Sequence, residues 1–112
     1  MKINNYTCTG RLTRDPELKT LPSGTSVCEL RLAVDGMGRG REVGYINVSV
    51  YGKGGESAAE YLTRGWLVAV EGRLEYQQWE TEHGTRTAYG VIGAVEFLAQ
   101  PRQSDQQKST AD

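Results

Sequence analysis

The chain has 112 residues, 38% of them apolar and 24% charged, with 14 glycines and three prolines, a balance that fits one ordered, turn-rich domain and excludes a disordered chain. The length is enough to bury a core without disulfides or metal. A formal net charge of −1 excludes a globally basic protein, but residues 1–55 hold eight Lys or Arg against five Asp or Glu, while residues 56–112 hold five against nine, which leaves room for a local basic patch in the first half.

The first extended stretch is NYTCTGRLT, residues 5–13. RDPELKTLPSG follows, where Pro16, Pro22 and Gly24 mark a connecting loop. SVCELRLAV alternates strictly, with Cys28, Leu30, Leu32 and Val34 on one face and Val27, Glu29, Arg31 and Ala33 on the other, which predicts a half-buried strand. DGMGRGRE, with three glycines and two arginines, reads as a flexible turn leading into a third strand over roughly residues 42–52, the pair forming a hairpin. In that third strand Ile46, Val48 and Val50 face the core, and the opposite face begins with Tyr45 and ends with Tyr51.

After KGG, the segment ESAAEYLTRG predicts one short helix, with Ala58, Ala59 and Leu62 on an apolar stripe and Gly65 as its stop. WLVAVEGRLEY, residues 66–76, is a fourth strand with Val68, Val70 and Leu74 inward. The polar QQWETEHGT then forms the arm or tip of a long hairpin that returns as RTAYGVIGAVEFL, residues 86–98. Residues 1–99 are read as one domain, and the polar, Gln-rich residues 100–112 as a disordered tail. Three strands, a short helix and two more strands predict an all-β OB-fold, a five-stranded Greek-key barrel whose helix lies between the third and fourth strands.

On that topology Tyr45 and Tyr51 fall on the usual ligand-binding surface, where aromatic rings stack bases of any identity. The alternative is packing against another subunit or cover for the sheet. Trp79 has no apolar neighbours within its own hairpin, which points to contact with a ligand, the barrel or a neighbouring subunit. Trp66, at a strand start, is assigned to core or interface. Arg31, Arg39, Arg41, Lys53, Arg73 and Arg86 occupy outer strand faces or loops around the tyrosines and can track a phosphate backbone as a group, although each alone reads as a solvated charge.

No enzyme is expected: His83 is the single histidine and sits in a hairpin tip, and no nucleophile, phosphate loop or metal-ligand cluster is arranged around it. No cofactor is expected either. No apolar run has signal-peptide or membrane-spanning length, so a cytoplasmic, nucleoid-associated protein without membrane contact is expected. Cys8 and Cys28 lack metal-type spacing and are read as reduced thiols.

GRLTRDPEL at 10–18, PSGT at 22–25, LAV at 32–34, YINVSVYGK at 45–53, AAEYLTRG at 58–65 and VEGRL at 70–74 occur in an order that resembles the bacterial single-stranded DNA-binding proteins, over nearly all of residues 3–98. The resemblance implies a homotetramer of OB domains that wraps single-stranded DNA in replication, recombination or repair. It places base-stacking aromatics at the matching positions Tyr45, Tyr51 and Trp79. It also implies that the first strand pairs with its own copy across a two-fold axis, which would set Cys8 opposite itself within reach of an intersubunit disulfide, against the simpler reading of a small, reduced core residue. Two departures stand out. The loop between the second and third strands offers Arg39 and Arg41 where many members have an aromatic, and the chain ends in QKSTAD where the family's tail is acidic with a terminal phenylalanine that recruits partner proteins. Recruitment through the tail is therefore not expected, and an accessory paralogue or a phage or plasmid version is. The competing readings are a primosome-type adaptor that mainly binds proteins and, more remotely, a sugar-binding OB module.

Overall fold

The alternating residues close into a barrel because each strand has one apolar face to hide and each finds two hydrogen-bonding neighbours. The computed structural model describes residues 1–101, so all but the first two residues of the expected tail lie outside the described residues. The elements in order are β1 (Tyr6–Leu12), β2 (Glu17–Thr20), β3 (Ser26–Val34), β4 (Gly44–Tyr51), α1 (Gly52–Tyr61), β5 (Leu67–Thr81) and β6 (Gly84–Ala99).

β1 runs antiparallel to β5 from Tyr6↔Gly72 to Arg11↔Leu67. β5 pairs along its whole length with β6, ending at Thr81↔Gly84. β6 meets β4 in parallel at Val48↔Val91 and Ser49↔Ile92, and β4 pairs antiparallel with β3 from Val27↔Tyr51 to Val34↔Gly44. β3 then closes on β1 at Arg11↔Ala33 and Leu12↔Leu32. That ring of five strands, with α1 between its third and fourth members, is the OB-fold.

Among the described residues the largest fully buried side chains are Leu30, Leu32, Val48, Val68, Val70, Val91 and Cys28, which fill the barrel. Burying each of the larger ones contributes about 1.5 to 3 kcal/mol over leaving it in water. α1 lays Ala58 and Leu62 on this core, and Trp66 meets Phe97 edge to face at 6.0 Å, half-buried at the rim.

Three details differ from the sequence expectation. Residues 17–20, read as loop, form β2, a short edge strand on β3 whose residues are all exposed; with neither face buried it has no alternation to detect. The helix begins earlier, inside the glycines, and ends at Tyr61, with the Leu62 N–H donating to the Ala58 carbonyl at 3.0 Å. Glycine weakens helices, yet Gly55 serves packing: a Cβ there would collide with the Val50 carbonyl, so only glycine lets α1 sit this close to β4. Val27, on the nominally outer face of β3, is buried beside Tyr51 and Lys19 in the paired strands.

Where β5 and β6 leave the barrel, Gly72 and Gly93 face each other so closely that a Cβ on either would strike the opposite backbone. Beyond Leu74↔Val91 the two strands continue as a free ribbon, and residues 76–87 are exposed on both its faces. This ribbon is the arm.

Candidate nucleic-acid interface

The period-two alternation that buries Ile46, Val48 and Val50 pushes Tyr45 and Tyr51 outward at the two ends of β4, 57% and 45% exposed. Asn47 and Ser49 lie between them. In the facing strand the register sets Ala33 opposite Tyr45, Arg31 opposite Asn47 and Glu29 opposite Ser49. Arg31 donates from Nη1 to Asn47 Oδ1 at 3.0 Å, and its guanidinium carbon stands 5.3 Å from the centre of the Tyr45 ring. That distance is cation–π contact, so Arg31 holds Tyr45 and supplies charge beside it. Ser49 donates to a Glu29 carboxylate oxygen at 3.1 Å.

The same outer face continues across β6 and β5. Ile92 lies beside Ser49, and Arg73, Glu75, Gln77 and Trp79 alternate along β5 on that side. A cleft of about 270 Å³ runs over it, lined by Arg14, Lys19, Glu29, Asn47, Ser49 and Gln77 among others. Trp79 is 46% exposed, on the arm directly opposite Arg86.

The cations bracket this face. Arg39 and Arg41 project from the loop at the Tyr45 end, held by Gly38 N–H donating to the Glu42 carbonyl and Arg41 N–H donating to the Gly38 carbonyl, both at 2.9 Å. Arg41 takes a left-handed φ of 70° to make that turn. Lys53, the second residue of α1, lies exposed at the Tyr51 end. Arg73 faces the cleft side but pairs with Glu75 at 3.8 Å, an exposed contact that holds it only weakly. The structure therefore brings Arg31 onto Tyr45 and sets Arg86 opposite Trp79 in the strand register, while Arg39, Arg41 and Lys53 stand apart at the rims.

Sequence reasoning passed over the acidic groups of the cleft, Glu17, Glu29 and Glu75. Their placement depends on strand register, which residue type alone does not reveal. It also passed over Tyr76 and Tyr89, which pair across the arm on the face away from Trp79.

Neither cysteine lies in this face. Cys28 is fully buried and its thiol pKa is raised, by burial first and by the Glu29 carboxylate second. Cys8 is a free, half-buried thiol opposite Val70, next to Tyr6 on the core-facing side of β1. The Tyr6 hydroxyl is pushed up to about 12 by burial and by its hydrogen bond with Cys8. Among the described residues no group of three His, Cys, Asp or Glu is placed to hold a metal ion, and no helix is long and apolar enough to cross a membrane.

A closed five-stranded barrel with its helix between the third and fourth strands is an OB-fold, a class whose exposed strand face binds oligonucleotides or oligosaccharides. Residues 3–98 match the Single-strand binding protein family, and the chain belongs to it. It is 36% identical over 113 residues to a single-stranded DNA-binding protein of Staphylococcus aureus, covering 95% of this chain and 72% of that protein. It is 40% identical over 102 residues to single-stranded DNA-binding protein 2 of Clostridium acetobutylicum, covering 86% and 77%. With a single-stranded DNA-binding protein of Helicobacter pylori the identity is 34% over 116 residues, covering 97% and 64%.

Proposed function

We propose that this protein binds and coats single-stranded DNA without strong sequence preference and without catalysis. The observation that carries the reading is the set of three exposed aromatics, Tyr45, Tyr51 and Trp79, on one continuous outer face with cations at its rims. Bases stack on the three rings, and stacking tolerates every base because each presents a π-face. Arg39, Arg41, Lys53 and Arg86 contact phosphates, with Arg31 and Arg73 contributing from positions where Tyr45 and Glu75 already engage them. The cleft lining carries Arg14 and Lys19 as well as Glu17, Glu29 and Glu75, with Lys19 and Glu17 paired at 3.7 Å, so its charges largely offset one another, and Arg39, Arg41 and Lys53 stand at the rims.

The finer reading is a homo-oligomer, most simply a tetramer, serving replication, recombination or repair, in an accessory paralogue or a phage or plasmid version. Assembly is supported by the edge of β1, which pairs with β5 on one side but with β3 only at Arg11 and Leu12 among the described residues. Unpaired strand edges are templates for a second copy.

A titration with oligo-dT at two salt concentrations, followed through tryptophan emission, tests the function. Strong quenching, and an affinity that falls as salt rises, are expected from stacking combined with counterion release. An unchanged spectrum at micromolar protein would reject DNA coating and favour the protein-binding adaptor.

A further inference from the structure

The arm carries aromatic rings on both faces. Trp79 lies on the face shared with the cleft, and Tyr76 and Tyr89 lie directly opposite one another on the reverse face. Their ring centres are 5.2 Å apart with a 55° angle between planes, so the rings lean on each other at an angle and do not stack face to face. They are 52% and 63% exposed, more than Trp79 itself. No layer of the barrel lies beneath them, because the inward set ends at Leu74 and Val91.

We propose that the Tyr76–Tyr89 pair is a second base-stacking surface, on the reverse face of the arm, so that single-stranded DNA continues around the β5–β6 ribbon from Trp79. The inference rests on the reading that the outer face binds single-stranded DNA. Three features favour a nucleic-acid strand as the occupant. Tyr76 stands three residues from Trp79, about 10 Å along the strand, so one continuous strand reaches both. Each ring is exposed over about half its surface or more, which leaves area on which a base can stack. Its charge is also low for this half of the chain: Gln78 and Thr87 form the adjoining pair, and the next carboxylate outward, Glu80, accepts a hydrogen bond from Thr85 at 2.6 Å. At the base of the ribbon Asn4 clamps β5, donating to the Leu74 carbonyl at 2.7 Å and accepting from the Leu74 N–H at 3.0 Å, which holds the segment bearing Lys2 beside the arm. A second copy of the chain fits less well, since Gln78 and Thr87, then Glu80 and Thr85, continue the face toward the tip with polar groups where a subunit contact wants an apolar core.

The test uses the full chain with Tyr76→Thr and Tyr89→Thr together, β-branched replacements that keep strand preference, and with Tyr76→Phe and Tyr89→Phe, which keep the π-faces. Two oligo-dT probes are compared, of about eight and about thirty nucleotides, the shorter lying within the range one OB barrel covers. The threonine variant is expected to bind the longer probe at least fivefold more weakly and to cover fewer nucleotides per subunit. Its affinity for the shorter probe should be unchanged, and the phenylalanine variant should behave as the unsubstituted protein does. Photo-cross-linking of the unsubstituted protein to iodouracil-substituted DNA should give adducts on Tyr76 or Tyr89 as well as on Trp79. Unaltered affinity and coverage in the threonine variant, or adducts confined to Tyr45, Tyr51 and Trp79, overturns the proposal and leaves the outer-face reading intact. A changed oligomer in sedimentation with no adduct on either tyrosine overturns it too, reassigning the pair to a subunit contact. If the unsubstituted protein binds neither probe, both readings fall.

Discussion

β5 passes through two environments in one unbroken strand. From Leu67 to Leu74 it is part of the barrel, with Val68 and Val70 fully buried and the opposite face outward. From Tyr76 to Thr81 the same hydrogen-bond ladder with β6 continues, but every residue is exposed. In the first half, side-chain identity is dictated by volume and polarity inside the core. In the second, side chains meet only their neighbours within the ribbon, so beyond the cross-strand contact of Tyr76 with Tyr89 no packing calls for large aromatic residues there. On the proposed reading, stability and binding are separated along a single element, and substitutions should divide the same way.

The largest effect belongs to the barrel. Leu32→Ala removes a side chain that is fully buried and should lower unfolding free energy by about 2 to 5 kcal/mol, read from urea or guanidinium transitions. A loss under 1 kcal/mol would mean that the barrel relaxes around the cavity and that its packing is looser than described. In the arm and on the outer face the pattern should reverse. Trp79→Ala and Tyr51→Ala are each expected to weaken single-strand binding by about 1 to 3 kcal/mol, the range measured for base–aromatic stacks in proteins that include this family. Their unfolding transitions should move by no more than about 0.5 kcal/mol. Unchanged affinity in both variants at moderate salt would dissolve the contrast between the two halves.

The smallest effect sharpens the boundary at β1. Above the ordinary tyrosine value of 10 the unfolded chain releases the Tyr6 proton, while the folded chain keeps it until about 12. The folded state therefore binds more protons in that window, and stability falls as pH rises from 10 toward 12. The contribution is fully present below pH 10. Tyr6→Phe should flatten this part of the profile when denaturant midpoints are compared below and above pH 10 with those of the unsubstituted protein. An identical slope in the two proteins would show that Tyr6 is as free to ionise folded as unfolded.

Much of this was legible in the residues. SVCELRLAV alternates so cleanly that its bounds, 26–34, coincide with β3, and the isolated Trp79 in a polar hairpin marked the arm. β2 was not legible, because an edge strand exposed on both sides is defined by its partner and leaves no period of its own. The start of α1 was hidden for the opposite reason: glycines argue against a helix locally, yet one of them, Gly55, is required by its contact with Val50. The pairings Arg31–Tyr45 and Tyr76–Tyr89 depend on register across a turn, which the alternation of either strand alone does not specify. Each aromatic residue was visible. The company it keeps was not.

The two-residue turn at the arm tip, Glu82 and His83, also bears on the order of events during folding. Closing it brings neighbours in the chain together, with Thr81 Oγ1 accepting from the His83 N–H at 3.2 Å and donating to the Gly84 carbonyl at 2.8 Å. The ladder from there toward Gly72↔Gly93 adds pairs one after another, at little further cost in loop entropy. Joining β1 to β5 instead gathers most of the chain into one loop, so it is the entropically expensive closure. By that measure the arm is the less costly closure and the barrel the more costly one, and the rings of Tyr76, Trp79 and Tyr89 sit on the part of the chain whose pairing asks least of the rest.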